Sequence, residues 1–367
     1  MKRTFNKRRS KSYPRNPKTI GDIGDIPQKY KNTLDGKEFL IYDSWNDEED
    51  DEPPQNRILV FSTRQFLKRL TQSLIVNLDG TFETSPDIFT QVFTIHGEYG
   101  GEVFPFVFAL LPDKSEASYR TVLQAVVDKC RDMRIASPKP VTVISDMEVG
   151  IINATKTIFS DAEIRLCLFH LRQAAWRHLQ EGGLQVAHRN PEDDSIRNAF
   201  REVVGLAFVP VDDVKEACEV VIDNLPVRMA DFGDYFEKTY VIGHRNRRTR
   251  RTVPPRYPPA LWNHYIAAVE NQPRTNNATE AWHNRFQTIV GKSHPSLYKL
   301  IGEFQKEAAD VKVMMEELDG LCWQRGVDGE GGPSCNISDA QKESCQNVQG
   351  SANRSCWAKK WDEDQLG

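Results

Sequence analysis

Hydrophobic positions between residues 57 and 180 recur with two different periods, and the change of period marks out the elements. Ser73–Val76 rises into Leu78 as an apolar run that stops at Asp79-Gly80, a strand meeting a turn. Gln91–Tyr99 sets Val92, Thr94 and His96 against Phe93 and Ile95, the alternation of a second strand. Gly97–Gly101 makes a tight connection to Val103–Leu111, a third strand apolar enough to be buried on both faces. Three strands joined by such short links predict an antiparallel meander. The period then lengthens. Over Ser115–Arg131, Tyr119, Leu123, Val126, Val127 and Cys130 fall on one helical face. Val141–Ile144 reads as a β-branched strand running into Ser145-Asp146, Val149–Phe159 as a helix, Glu163–Phe169 as a fifth strand and Leu171–Leu179 as a helix.

The order β-β-β-α-β-α-β-α predicts an α/β fold: a mixed five-stranded sheet flanked by helices, in ribonuclease-H-like order. Beyond residue 180 the strand signals stop. Ile196–Ala207, Asp212–Leu225 and Arg228–Tyr240 are amphipathic, and Leu261–Val269 is helical again. Between them lies His244–Pro259, with Arg245, Arg247, Arg248, Arg250 and Arg251 and four prolines. Thr275–Val290 is the last strongly marked helix, with Trp282, Phe286 and Ile289 as its core-facing stripe. The chain thus divides into a largely flexible leader at 1–56 and a catalytic core at 57–180. An all-α insertion at 181–272 follows, then returning core helices at 273–319 and a disordered polar tail at 320–367.

Charge sharpens the picture at the ends. The net charge of -4 conceals eight Lys/Arg and no acid in residues 1–20, followed by seven acids in residues 43–52. The segment Lys2–Lys18 reads as a nuclear-localisation stretch, a DNA-touching arm or an unstructured end. No apolar run approaches the length of a membrane helix, and the N-terminus carries no apolar signal core. Seven cysteines, at 130, 167, 218, 322, 335, 345 and 356, include no C-x-x-C pair. Reduced thiols in a cytosolic or nuclear compartment are expected.

Two carboxylates occupy matching places: Asp79 ends the first strand and Asp146 the fourth. In a parallel pair such ends share one edge of the sheet, where α/β proteins place their sites. Two like charges side by side are unfavourable unless a cation lies between them. Hard oxygen ligands suit Mg²⁺ or Mn²⁺, and two such ions can clamp a phosphodiester. Glu280 is the candidate third carboxylate, with His283 on the same helix face. Each residue alone reads as an ordinary turn or helix acid; the combination carries the argument.

At this point the chain resembles the Mutator-like (MULE) transposases, a branch of the DDE ribonuclease-H-like transposases. The landmarks are Asp79-Gly80-Thr81-Phe82, the stretch PFVFALLPDK from Pro105 to Lys114, and Ser145-Asp146-Met147-Glu148. They continue through Cys167-Leu168-Phe169-His170, Gln173 and Trp176 to Arg274-Thr275-Asn276-Asn277 and Glu280-Ala281-Trp282-His283. The resemblance implies that Asp79, Asp146 and Glu280 form a metal-binding catalytic triad. It also implies cleavage at transposon ends and strand transfer into new DNA. Double-stranded DNA is then the partner, the nucleus the compartment, and a homodimer is compatible with it. The spacings of 67 and 134 positions leave room for an inserted helical domain before the glutamate.

Cys167-x-x-His170 corresponds to the family's C-x-x-H element, placed here on strand five. A zinc site would need two more ligands, so a buried thiol beside a hydrogen-bonded imidazole is the plainer reading, with His170 also able to approach a scissile phosphate. Glu148 is expected to face away from Asp146. Arg245–Arg251 and His283 are candidate phosphate contacts, the alternative for the arginines being a solvated loop. Two departures from the family stand out: no FLYWCH or WRKY-like zinc module and no CxCxH element is recognisable. Three readings therefore remain open: an active transposase core, a host-adopted non-catalytic DNA- or chromatin-binding protein, and a different nuclease on the same fold.

Overall fold

A computed structural model describes residues 14–47, 56–246 and 248–327. Much of the basic N-terminal run, most of the acidic run, Arg247 and residues 328–367 lie outside them. The fold is α/β, with a mixed seven-stranded sheet flanked by helices. In chain order the main elements are β1 (Leu40–Asp43), β2 (Leu59–Phe61), α1 (Arg64–Leu70), β3 (Ile75–Thr81), β4 (Gln91–Tyr99), β5 (Glu102–Leu111) and α2 (Glu116–Asp132). Then follow β6 (Thr142–Ser145), α3 (Val149–Ile158), β7 (Glu163–Leu166) and α4 (Leu168–Glu181). The strands lie in the order β1-β2-β5-β4-β3-β6-β7. β3 to β5 form the expected antiparallel meander, while β6 and β7 run parallel to β3. Tyr99 pairs with Glu102 across Gly100-Gly101, whose φ values of 63° and 83° give the left-handed pair that a two-residue hairpin turn requires.

The sheet has two strands more than the five expected: β1, because the segment read as a flexible leader folds in part, and β2, a three-residue strand at the start of the expected core. β1 pairs with β2, and β2 with β5. Ile23, Ile26, Tyr30 and Phe39 are buried. Arg57, itself buried, donates from Nε and Nη2 to the two carboxylate oxygens of Asp43 at 2.7 and 2.5 Å, and from Nη1 to the Gly24 carbonyl at 2.8 Å. Its guanidinium also lies over the Trp45 ring.

Helices cover both faces. β5 turns Phe106 and Phe108 to one side, where Phe66 of α1 packs 5.7 Å from Phe106. Two later helices join that side: α8 (Asn277–Val290), with Trp282 5.9 Å from Phe108, and α9 (Leu297–Val327), with Phe304 stacked 4.8 Å from Phe108. The opposite face meets α2, whose Tyr119 lies 5.1 Å from Phe93. Gln305 of α9 donates to the carbonyls of Lys29 and Asn32, both at 2.6 Å, and Leu297 N–H donates to Asn16 Oδ1 at 3.1 Å. From Lys312 the chain forms a second unit, of which the helical residues 312–327 are described.

Between α4 and α8 the chain is mostly helical, including α5 (Ser195–Gly205), α6 (Val214–Asp223) and α7 (Ala230–Phe236). Leu171, Leu179, Phe200, Phe232, Phe236, Tyr240 and Trp262 share one hydrophobic cluster. A short hairpin, β8 (His244–Arg245) with β9 (Thr252–Val253), interrupts the helical stretch. Gly243 starts it at φ 76°, where an added Cβ would lie 2.0 Å from the Val253 carbonyl oxygen.

Three finer expectations change. Strand β7 stops at Leu166, so Cys167 is the N-cap of α4 and His170 lies in that helix, not on a strand. On α8 the apolar stripe ends at Val290, which is buried, while Ile289 is 46% exposed. The tail expected from residue 320 begins as the end of α9, at least to Val327. No helix among the described residues is long and apolar enough to cross a membrane.

Candidate active site

The parallel register of β3 and β6 pairs Leu78 with Ser145, so Asp79 and Asp146 follow at equivalent positions on neighbouring strands. Local sequence fixes both. β-branched and apolar residues carry each strand to its acid, and at Asp79 the next residue must be small. A Cβ on Gly80 would meet Gln91 Oε1 at 2.4 Å, and that amide is committed to the Tyr119 hydroxyl at 2.5 Å.

Glu280 comes from 134 positions further on, in the first turn of α8. Two contacts set that helix start against the β7–α4 junction. Leu168 N–H donates to the Arg274 carbonyl at 3.2 Å, and Arg165 reaches Gln272 Oε1 at 3.1 Å. Further along α8, Trp282 Nε1 donates to Glu307 Oε1 at 2.7 Å, and Arg285 pairs with the same carboxylate. These contacts hold the glutamate's helix at its start and its middle.

The electrostatics mark this as a cluster of mutually repelling acids. Burial, then the charges of Asp79 and Glu148, push the Asp146 carboxyl up to about 7. Burial, then Asp79, push Glu280 up to about 7 as well. Asp79 is thus a common neighbour of the other two. Glu280 Oε1 is buried with no hydrogen-bond partner, an acceptor for which the fold supplies no donor.

Histidines surround Asp79. His283 Nε2 lies 3.1 Å from Asp79 Oδ2, which places it at the acidic centre. Behind it, the Thr94 hydroxyl donates to the Asp79 carbonyl at 3.3 Å, and His96 Nε2 meets Thr94 Oγ1 at 3.0 Å, a contact whose direction follows the imidazole tautomer. His96 is fully buried, and desolvation first, then His283, hold its pKa well below the usual histidine range. It is a neutral prop. His170 Nε2 is 3.9 Å from Glu280 Oε1, and burial lowers its pKa. Cys167 donates to Asn276 Oδ1 at 2.9 Å, and burial pushes its thiol up to about 11.

Glu148 is engaged elsewhere. It accepts from the Tyr119 hydroxyl at 2.6 Å and from Lys114 Nζ at 3.2 Å, while its backbone N–H donates to Asp146 Oδ1 at 3.1 Å. It therefore orients Asp146 through the main chain. Tyr257, from the helical segment, donates to the Met147 carbonyl at 2.6 Å and steadies the same loop.

The structure therefore brings together Asp79, Asp146, Glu280, His170 and His283. The arginines lie apart from them in sequence, at the β8–β9 hairpin. Arg245, Arg248, Arg250 and Arg251 are exposed there, and Arg247 lies outside the described residues. Asn246 organises the turn, accepting from the backbone N–H of Arg248 and of Thr249 through Oδ1. Thr94, His96, Tyr119 and Tyr257 receive no site role from sequence reasoning, and Asn276 enters only as a family landmark. For Thr94 and His96 a signal existed: two polar residues on one face of an otherwise apolar strand.

A family model described as the MULE transposase domain matches residues 75–174. The match begins at the first residue of β3 and ends within α4, so it takes in Asp79, Asp146, Cys167 and His170 and stops short of Glu280. No curated protein matches the chain.

Proposed function

We propose that this protein is the catalytic core of a DDE-type DNA transposase on a ribonuclease-H-like fold. It cleaves phosphodiesters at transposon ends and transfers the freed strand to target DNA. The observation that carries the reading is that Asp79 and Asp146 follow equivalent positions on adjacent parallel strands, while Glu280, on a helix from far along the chain, feels the charge of Asp79 as Asp146 does. The MULE family match over the first two supports it.

The three carboxylates fit hard divalent cations, Mg²⁺ or Mn²⁺. The donors are all oxygen, Glu280 Oε1 lacks a partner, and Asp146 and Glu280, pushed up to about 7 first by burial and then by the charge of Asp79, are carboxyls whose ionised form a cation would favour. Such ions, when bound, polarise the phosphoryl oxygen and lower the pKa of the attacking water or 3′-hydroxyl. The chain's own residues supply the rest. The Glu148 N–H and the Asp146 side chain hold each other, and His283 donates to Asp79 and sets its rotamer. His170, 3.9 Å from Glu280 Oε1 and partly exposed, is the chain's candidate for approaching a scissile phosphate. The exposed arginines of the β8–β9 hairpin hold the DNA backbone through phosphate contacts, which give affinity without reading sequence. With transposon and target DNA as partners, the nucleus is the compartment this reading implies.

The test is strand cleavage and joining on labelled DNA carrying the neighbouring element's terminal repeats, with Mg²⁺, Mn²⁺ or EDTA. Wild type is expected to yield metal-dependent cleaved and joined species that vanish in Glu280→Gln. DNA binding without products, equal in both proteins, would replace this reading with that of a host-adopted binding protein. Cleavage without joining would make the protein a nuclease.

A further inference from the structure

Beside the carboxylates the fold assembles a second set of donors, of different chemistry. Cys167 caps α4, His170 lies three residues on in that helix, and Glu280 faces them from α8. Their ligand atoms all lie within 4.8 Å of one another, with His170 Nε2 and Glu280 Oε1 at 3.9 Å. A tetrahedral site with bonds of about 2.0–2.3 Å spaces its ligand atoms roughly 3.3–3.7 Å apart. Closing that difference asks for shifts of about 1 Å in the ligand atoms. Cys167 is fully buried, whereas the side chains of His170 and Glu280 are 24% and 25% exposed and leave a way in.

Asn276 supplies an independent observation. The Cys167 thiol donates to its Oδ1, yet its Nδ2 is buried with no acceptor. Turned over, the same amide would donate to a thiolate. One residue thus serves the thiol through oxygen and the thiolate through nitrogen, the outer-shell support that a bound metal's ligand needs. Glu280 Oε1, likewise unpartnered, is the third arm.

We propose that Cys167, His170 and Glu280 form a seat for a borderline-soft divalent cation of the zinc class, and that filling it withdraws Glu280 from Asp79 and Asp146. Binding breaks the S–H bond and releases its proton to solvent. Sγ, Nε2 and one Glu280 oxygen each donate a lone pair, water takes the fourth position, and no electron is transferred. The seat itself stands on this geometry alone. The consequence that zinc silences strand cleavage rests on the transposase reading above.

The test uses cobalt(II) as a spectroscopic probe on the full chain, with Cys322, Cys335, Cys345 and Cys356 replaced by Ser and Mg²⁺ in excess. One equivalent should give a thiolate-to-cobalt charge-transfer band with the visible bands of a tetrahedral site. Cys167→Ser should abolish the charge-transfer band. His170→Ala, at a part-exposed position that tolerates truncation, should weaken binding by more than the roughly 10–100-fold that follows removal of an outer-shell partner. Asp79→Asn should leave the band in place. No charge-transfer band, or one that persists in Cys167→Ser or at full affinity in His170→Ala, would overturn the proposal. Zinc should also suppress Mg²⁺-dependent cleavage in wild type and not in Cys167→Ser, and equal suppression in both would refute the withdrawal of Glu280. Wild type without any cleavage would instead sink the transposase reading, and the cobalt titration would still decide the seat.

Discussion

Replacing Asp146 by Asn removes one charge from the acidic centre and keeps its shape, including the Oδ1 that accepts from the Glu148 N–H. Burial, Asp79 and Glu148 together lift this carboxyl from an ordinary 3.8 to about 7. A rise of roughly three units at about 1.36 kcal/mol each places ~4 kcal/mol against the ionised form. Water reaching the half-buried side chain screens part of that, so neutralisation should stabilise the metal-free protein by ~2–4 kcal/mol. The sign runs opposite to that of a salt-bridged acid. Below pH 3.8 the carboxyl is protonated in the folded and unfolded chains alike, and the substitution is neutral. Between 3.8 and about 7 only the unfolded chain ionises readily, and wild type steadily loses stability relative to Asp146→Asn. Above about 7 the gap is constant. Urea unfolding of both proteins in EDTA, from about pH 4 to about pH 8, measures it as a difference in midpoint. Millimolar Mg²⁺ should then narrow the gap by stabilising wild type alone. An Asn variant no more stable than wild type at the alkaline end, or a gap that does not widen with pH, would refute a repulsive centre at this position.

Three further outcomes are expected. Arg57→Ala leaves the buried Asp43 carboxylate unpaired and should cost about 3–5 kcal/mol in chemical denaturation; a change below ~1 kcal/mol would show that the N-terminal segment is not anchored there. Tyr119→Phe removes the hydroxyl that accepts from Gln91 and donates to Glu148, and should cost roughly 1–3 kcal/mol by the same assay, with no change refuting the buried relay. In DNA binding followed against salt, Arg248→Ala with Arg250→Ala should lower the log–log slope by about 0.9 for each phosphate no longer neutralised; an unchanged slope would make the hairpin an ordinary solvated loop.

What the sequence disclosed follows from how local each signal is. β4 occupies Gln91–Tyr99, the span its alternation marks, and ends at a glycine pair; both its faces are buried over Gln91–Gly97. Asp79 and Asp146 are legible because an apolar, β-rich run leads into each; β3 continues past Asp79 to Thr81, and its parallel pairing with β6 places the two acids side by side. β1 and β2 are not, because four- and three-residue strands are too short to show a period. The start of α4 is hidden for a different reason. Cys167-Leu168-Phe169 continues the apolar run of β7, but the Leu168 N–H goes to Arg274, and the strand ends. The meetings of Cys167 with Asn276 and of His170 with Glu280 join segments more than a hundred residues apart, and no local pattern encodes them.

The hydrogen bonds from Gln305 to Lys29 and Asn32 also set an order of events during synthesis. At roughly 5–20 residues per second, the 273 positions between Asn32 and Gln305 take about 14–55 s to emerge. Throughout that interval Ile23, Ile26 and Tyr30 are already made, while the helix residues that receive their segment are still inside or behind the ribosome. These early apolar residues thus lie in a segment that is among the last to be secured. A nascent chain stopped anywhere before Leu297 would carry them unclasped, a target for chaperones and proteases rather than a smaller version of the folded protein.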